Sequence, residues 1–149
     1  MPTPSSNELP PGRLAAALLE ASQWFDEALL ARLEQEGGPV LSPNRSRAFL
    51  AMSSGPLRVI ELARQLDISR QAAHKLLDGL ERDALVERWT DERDRRAQLV
   101  TLTDRGRDVA RRAARILGEL EAELRGRIGP GHVDALRRAL AVDWGRSPR

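Results

Sequence analysis

Cysteine is absent from the 149-residue chain, which excludes a disulfide framework, a thiol redox switch and a Cys-based zinc site. No apolar run approaches the roughly 20 residues needed to cross a bilayer. The opening MPTPSSNELPPG is Pro/Ser-rich without an apolar signal core, so residues 1–12 read as a loose flexible tail and the expected location is cytoplasmic. Histidine is scarce: His74 and His132 are the two in the chain and fall on different elements. A G-x-S-x-G elbow, a P-loop and an H-E-x-x-H pair are all missing, and Gly129-Pro130-Gly131 lacks the strand-loop-helix context of a phosphate cradle. No enzyme, metal or cofactor is therefore expected. Lysine is nearly absent too, with Lys75 alone among 24 basic side chains. The rest are Arg, the better bidentate donor to phosphate and guanine.

The formal net charge is only +2, so the whole-molecule field does not announce a nucleic-acid partner. The excess is local, with Arg93, Arg95 and Arg96 crowded together and Arg105 and Arg107 close behind.

Apolar residues Leu14, Ala17, Leu18, Ala21, Trp24, Phe25, Ala28, Leu29 and Leu33 fall at helical spacing over 13–36. Ser42-Pro43 opens a second helix as N-cap and first helical residue, burying Ala48, Phe49 and Met52. A third helix is expected over 57–66. After the turn Asp67-Ile68, Ser69 caps a fourth running to about residue 82, with Ala72, Ala73, Leu76, Leu77 and Leu80 inward. Small Ala63 and Ala73 fit the close approach of a helix-turn-helix. The period then changes: 85–90 (LVERWT) and 97–103 (AQLVTLT) read as strands around the charged tip DERDRR. Helices over 104–128 and 133–144 complete the order α-α-α-α-β-β-α-α. The expected fold is mainly α with a small β-hairpin wing, a winged helix-turn-helix over about 42–103 within one domain at 13–149. The long helices at 13–36 and 104–144 carry apolar stripes that one small winged unit does not cover. A two-fold dimer is the economical partner.

Ser69, Arg70, Gln71, His74 and Lys75 form the outward face of the fourth helix. These are the residue types that contact base edges and phosphates from a major groove. Alone, such a face is equally an ordinary solvated surface, but the preceding helix and following hairpin favour duplex DNA. At the tip, Arg93, Arg95 and Arg96 suit a narrow minor groove or the phosphates, and Asp91, Glu92 and Asp94 suit positioning those guanidiniums. Trp24, Phe25, Phe49 and Met52 are either core or the lining of a small-molecule pocket. The rival reading is a winged-helix protein-interaction module that does not read DNA, since Asp78, Glu81, Asp83, Glu87, Asp91 and Glu92 dilute the positive field.

The stretch ELARQLDISRQAAHKLLDGLERDALVERWTDERDRRAQLVTLTDRG resembles the MarR family of bacterial transcriptional regulators. Its wing pattern, Asp-x-Arg followed by a strand ending Leu-Thr-x-x-Gly, appears as Asp94-Arg95-Arg96 and Leu102-Thr103-Asp104-Arg105-Gly106. The resemblance covers about 13–144. It implies an obligate homodimer that binds a palindromic operator, commonly a repressor released by a small aromatic or lipophilic effector. It also implies base or phosphate contacts from Ser69, Arg70, Gln71, His74, Lys75 and Arg96, with Asp94 orienting Arg96 and Arg93 or Arg95 reaching the backbone. The location would then be nucleoid-associated while DNA is bound. One departure is Ala84, where the family often has Gly. A left-handed residue there disfavours Ala by roughly 1 kcal/mol, so a differently built exit from the fourth helix is expected.

Overall fold

The periodic stretch near the N-terminus closes as one helix, α1 (Leu14–Gln35). The computed structural model describes residues 9–95 and 97–145. Gly37, at φ +72°, ends α1: its N–H reaches the Glu34 carbonyl at 2.9 Å and the Gly38 N–H reaches that of Leu33 at 2.8 Å. This is a Schellman ending, which satisfies two carbonyls that the helix leaves open. Helix α2 (Pro43–Met52) starts as expected, with Ser42 Oγ accepting the Arg45 N–H at 3.4 Å and Pro43 in the first turn.

The third helix is shorter than the spacing suggested. Leu57–Arg58 is a strand, β1, and α3 runs only over Val59–Gln65. The extension comes from outside the segment, because β1 pairs antiparallel with β3 (Gln98–Leu102), Leu57 opposite Val100 and Arg58 opposite Leu99. Two residues are too few to show a period of two. Arg58 then stays extended at φ −72°, ψ 143° and donates its N–H to Glu61 Oε2 at 3.0 Å as α3 begins.

Helix α4 (Arg70–Arg82) follows the turn. Strand β2 (Val86–Thr90) pairs antiparallel with β3 from Val86 opposite Leu102 to Thr90 opposite Gln98. The wing is thus the outer part of a three-stranded sheet in the order β1-β3-β2. Helix α5 (Asp104–Ile128) and helix α6 (Pro130–Ala141) complete the described chain. Helix α6 begins before the expected residue 133 because Gly129, at φ +90°, makes the whole break and Pro130 suits a first helical turn. Trp144 lies beyond α6 and donates its indole N–H to the Ala139 carbonyl at 3.0 Å.

The core is centred on Leu62, Leu77, Leu80, Leu85, Val100 and Ile116, all fully buried. From α1 only Leu29 and Leu33 are buried, whereas Leu14 is 59% exposed. Among the described residues no helix is long and apolar enough to cross a membrane.

Candidate nucleic-acid interface

The inner side of α4 is fixed by Ala73, Leu77 and Leu80, each without solvent exposure. That burial sets which residues face outward. Arg70, Gln71 and Lys75 are exposed and His74 is half-buried. Ser69 Oγ accepts the Ala72 N–H at 3.0 Å, so its hydroxyl oxygen caps the helix.

Both helices of the helix-turn-helix unit end through left-handed residues other than glycine. Asp67, at φ +51°, ends α3 with its N–H on the Arg64 carbonyl (3.2 Å) and the Ile68 N–H on that of Ala63 (3.0 Å). Ala84, at φ +56°, ends α4 in the same way, with its own N–H on Glu81 O and the Leu85 N–H on Leu80 O, each 2.9 Å. The expectation of a differently built exit at Ala84 is therefore corrected. The Schellman geometry is kept, because the paired Leu80 and Leu85 are both fully buried and hold the turn against the preference of Ala.

The Leu-Thr-x-x-Gly pattern explains the next junction. Thr103 Oγ1 donates to the Ala84 carbonyl at 2.7 Å and accepts the Gly106 N–H at 3.0 Å, while the Thr103 N–H reaches the Leu85 carbonyl at 3.1 Å. A Cβ on Gly106 would sit 2.0 Å from the Leu85 carbonyl oxygen. Thr103 and Gly106 thus tie the start of α5 to the exit of α4. They position the helix and the wing and do not point at a partner.

The wing tip is organised from within. Asp91 is only 8% exposed. Its Oδ1 accepts the Arg93 N–H at 2.9 Å and its Oδ2 is 2.9 Å from Arg58 Nη2. The Arg93 N–H holds this carboxyl below the usual carboxylate range, burial opposes it, and the Arg58 guanidinium adds to the lowering. Arg58 Nη1 also lies 3.9 Å from Asp94. Arg93 and Arg95 are exposed, and Arg96 lies outside the described residues.

A groove of about 560 Å³ opens between α4 and the wing, with Arg70 and His74 on one wall and Thr90, Asp94 and Arg95 on the other. Lys75 faces a second depression of about 410 Å³ on the other flank of α4, beside Asn44, Arg45 and Arg82. The candidate residues therefore fall on two flanks of one helix. Two arginines that the sequence did not single out organise the site. Arg58 holds the wing tip. Arg88, on β2 with its side chain 18% exposed, places Nη2 2.6 Å from Asp78 Oδ1 and in contact with the Glu81 carboxylate. The bond to Glu81 is the main reason its pKa lies above the ordinary guanidinium value, with burial opposing and Asp78 adding. Its place on a strand with half-buried alternation was the only available signal.

The four residues considered for a small-molecule pocket separate. Phe49 and Met52 are core, and Phe49 also borders a cavity of about 80 Å³ with Leu33, Leu41 and Val109. Trp24 and Phe25, in edge-to-face contact at 4.9 Å, line an outer groove of about 200 Å³ with Leu124 and Arg127. The Arg127 guanidinium stands 5.7 Å from the Trp24 ring centroid.

A helix-turn-helix whose second helix and flanking wing border one groove defines a winged helix-turn-helix protein. Residues 41–97 match the MarR family model. Over 53 residues the chain is 49% identical to the transcriptional activatory protein BadR of Rhodopseudomonas palustris, a match spanning 36% of this chain and 30% of that protein. The fold is similar to the transcriptional repressor CouR bound to a DNA duplex (TM-score 0.69, 28% identity, 90% of this chain and 96% of that one). It is also similar to apo MarR from E. coli (TM-score 0.72, 24% identity, 90% and 96%). Residues 41–97, which hold the helix-turn-helix and the wing tip, are thus similar to the MarR family, and the fold is that of the solved MarR-type structures.

Proposed function

We propose that the protein is a homodimeric, sequence-specific reader of duplex DNA, without enzymatic activity, that regulates transcription from a palindromic operator. The observation that carries this is the groove in which Arg70 and His74 of α4 face Arg95 of the wing. A helix flanked by a wing in this way would set α4 into a major groove and the wing tip against the flanking backbone. Arg70, Gln71 and His74 would read base edges, Ser69 and Lys75 the phosphates, and Arg93, Arg95 and Arg96 the backbone or adjacent minor groove, with Asp94 orienting the tip. The salt bridges from Arg88 to Asp78 and Glu81 offset part of the negative charge that would repel phosphates, which favours the DNA reading over the protein-interaction one.

The dimer reading rests on the uncovered apolar residues Leu14 and Leu19 of α1, Leu136 and Leu140 of α6, and Trp144 beyond it. A palindromic site would require such a dimer to hold its two α4 helices about 34 Å apart, one turn of DNA. Control by a small aromatic or lipophilic effector is proposed from the Trp24 groove, with Phe25 in its wall and Arg127 at its rim. The reading includes repression as the default action and a cytoplasmic, DNA-associated location.

Selection of genomic fragments by the purified protein at near-physiological salt tests this. The expected result is a palindrome with half-sites about one turn apart, released by an aromatic acid from a broad panel. Unenriched DNA across all effector conditions would overturn DNA reading in favour of the protein-interaction module.

A further inference from the structure

We propose that Arg88 is a positioning residue that fixes the tautomer of His74, so that the His74 ring offers an Nε2–H donor to the groove and disfavours cytosine at one operator position. The proposal rests on the DNA-reading function above.

Arg88 reaches from β2 onto α4 and meets a single stripe of that helix. Its Nη1 lies 3.4 Å from His74 Nδ1, its Nη2 lies 2.6 Å from Asp78 Oδ1, and it contacts Glu81 as well. Positions 74, 78 and 81 are one and two turns apart on the same face. A guanidinium has donors and no acceptor, so the contact with His74 is a hydrogen bond only when Nδ1 presents its lone pair. The neutral ring then carries its proton on Nε2. The two carboxylates hold the guanidinium in place, so its direction toward the ring is fixed by partners outside the groove.

His74 is half-buried and lines the groove beside Arg70 and Arg95. A ring with Nδ1 engaged by Arg88 has one polar group left for a base, the Nε2–H. In a major groove, guanine presents N7 and O6 as acceptors, adenine N7 and thymine O4, whereas cytosine presents an amino donor. A donor locked in this way accepts three bases and opposes the fourth. A freely tautomerising ring could turn an acceptor to cytosine and would lose that discrimination. Arg88 therefore acts on base choice through His74 and on overall affinity through Asp78 and Glu81, and the two effects can be separated.

The test selects random duplexes with the full-length wild type, His74→Ala, Arg88→Met, the double variant, and Arg88→Met combined with Asp78→Asn and Glu81→Gln. The last removes the carboxylates that Arg88→Met would leave uncompensated, which keeps a folded variant available. His74→Ala and Arg88→Met are expected to lose discrimination against cytosine at the same base pair, each by about tenfold, with the double variant no worse there. The triple variant should recover overall affinity but not that preference. In the free protein, imidazole ¹⁵N shifts should show His74 Nδ1 unprotonated in the wild type and mixed tautomers in the Arg88 variants, with His132→Gln giving the assignment. If the Arg88 variants keep the His74-dependent preference and lose affinity equally at all positions, the proposal is wrong and Arg88 only compensates charge. If the wild type selects no sequence, base choice fails together with the DNA-reading function, and the nitrogen shifts still decide whether Arg88 sets the ring.

Discussion

Ala84 occupies a left-handed backbone position, φ +56°, that glycine would adopt without steric conflict. Ala84→Gly should stabilise the protein by about 1 kcal/mol, read from urea denaturation, and no gain would mean the turn relaxes in solution. Asp91 supports a second prediction. Its carboxyl titrates below the unfolded value of about 3.9, so it contributes stability above that pH, and the contribution is lost as pH falls through the folded-state value. Asp91→Asn should therefore be less stable than the wild type at neutral pH, and the gap should close as urea titrations are moved below about pH 4. Arg70 stands exposed on the groove wall with no core role. Arg70→Ala should weaken operator binding by about 1–3 kcal/mol and relax one operator position while leaving the melting temperature unchanged.

Three helix starts were legible because their chemistry is local, although α6 starts at Pro130, three residues before the expected position. Ser42, Ser69 and Thr103 each accept an N–H three residues on, and each was readable as a helix start. The strand at Leu57–Arg58 was not, because its extension comes from β3, some forty residues away. The junction of α4, β2 and α5 lies between these cases. Its motif was visible, but the reason for the glycine appears only when Leu85 O is found where a side chain on Gly106 would go. Gly106→Ala should destabilise by about 1–3 kcal/mol or more, since the obstructing atom is backbone and cannot rotate away. An unchanged melting temperature would show that α5 can shift.

For the whole molecule, the apolar residues left on α1, α6 and the segment after it give the strongest expectation. Leu140 and Trp144 are 56% and 63% exposed, and Leu14, Leu19 and Leu136 are uncovered with them. Sedimentation should return twice the 16.6 kDa chain mass, and Leu140→Glu should shift the equilibrium toward the monomer and weaken binding to a two-half-site operator more than to a single half-site. A monomeric wild type that binds one half-site would remove the dimer from the proposal.

The sequence by itself determined the helical frame, the outward face of α4 and the charged wing, because apolar period, caps and turn residues act within a few positions of one another. It also singled out His74 and Lys75 as one constellation. The tertiary structure divided that constellation between two flanks of α4, with His74 beside the wing and Lys75 beside Arg45. It likewise separated Phe49 and Met52 from Trp24 and Phe25, which helical spacing had not distinguished. Only the packed fold decided the roles of Arg58 and Arg88. Their partners, Asp91 for the first and His74, Asp78 and Glu81 for the second, lie on other elements. A long arginine side chain gives no sign in its own neighbourhood of which distant carboxylate or ring it will meet.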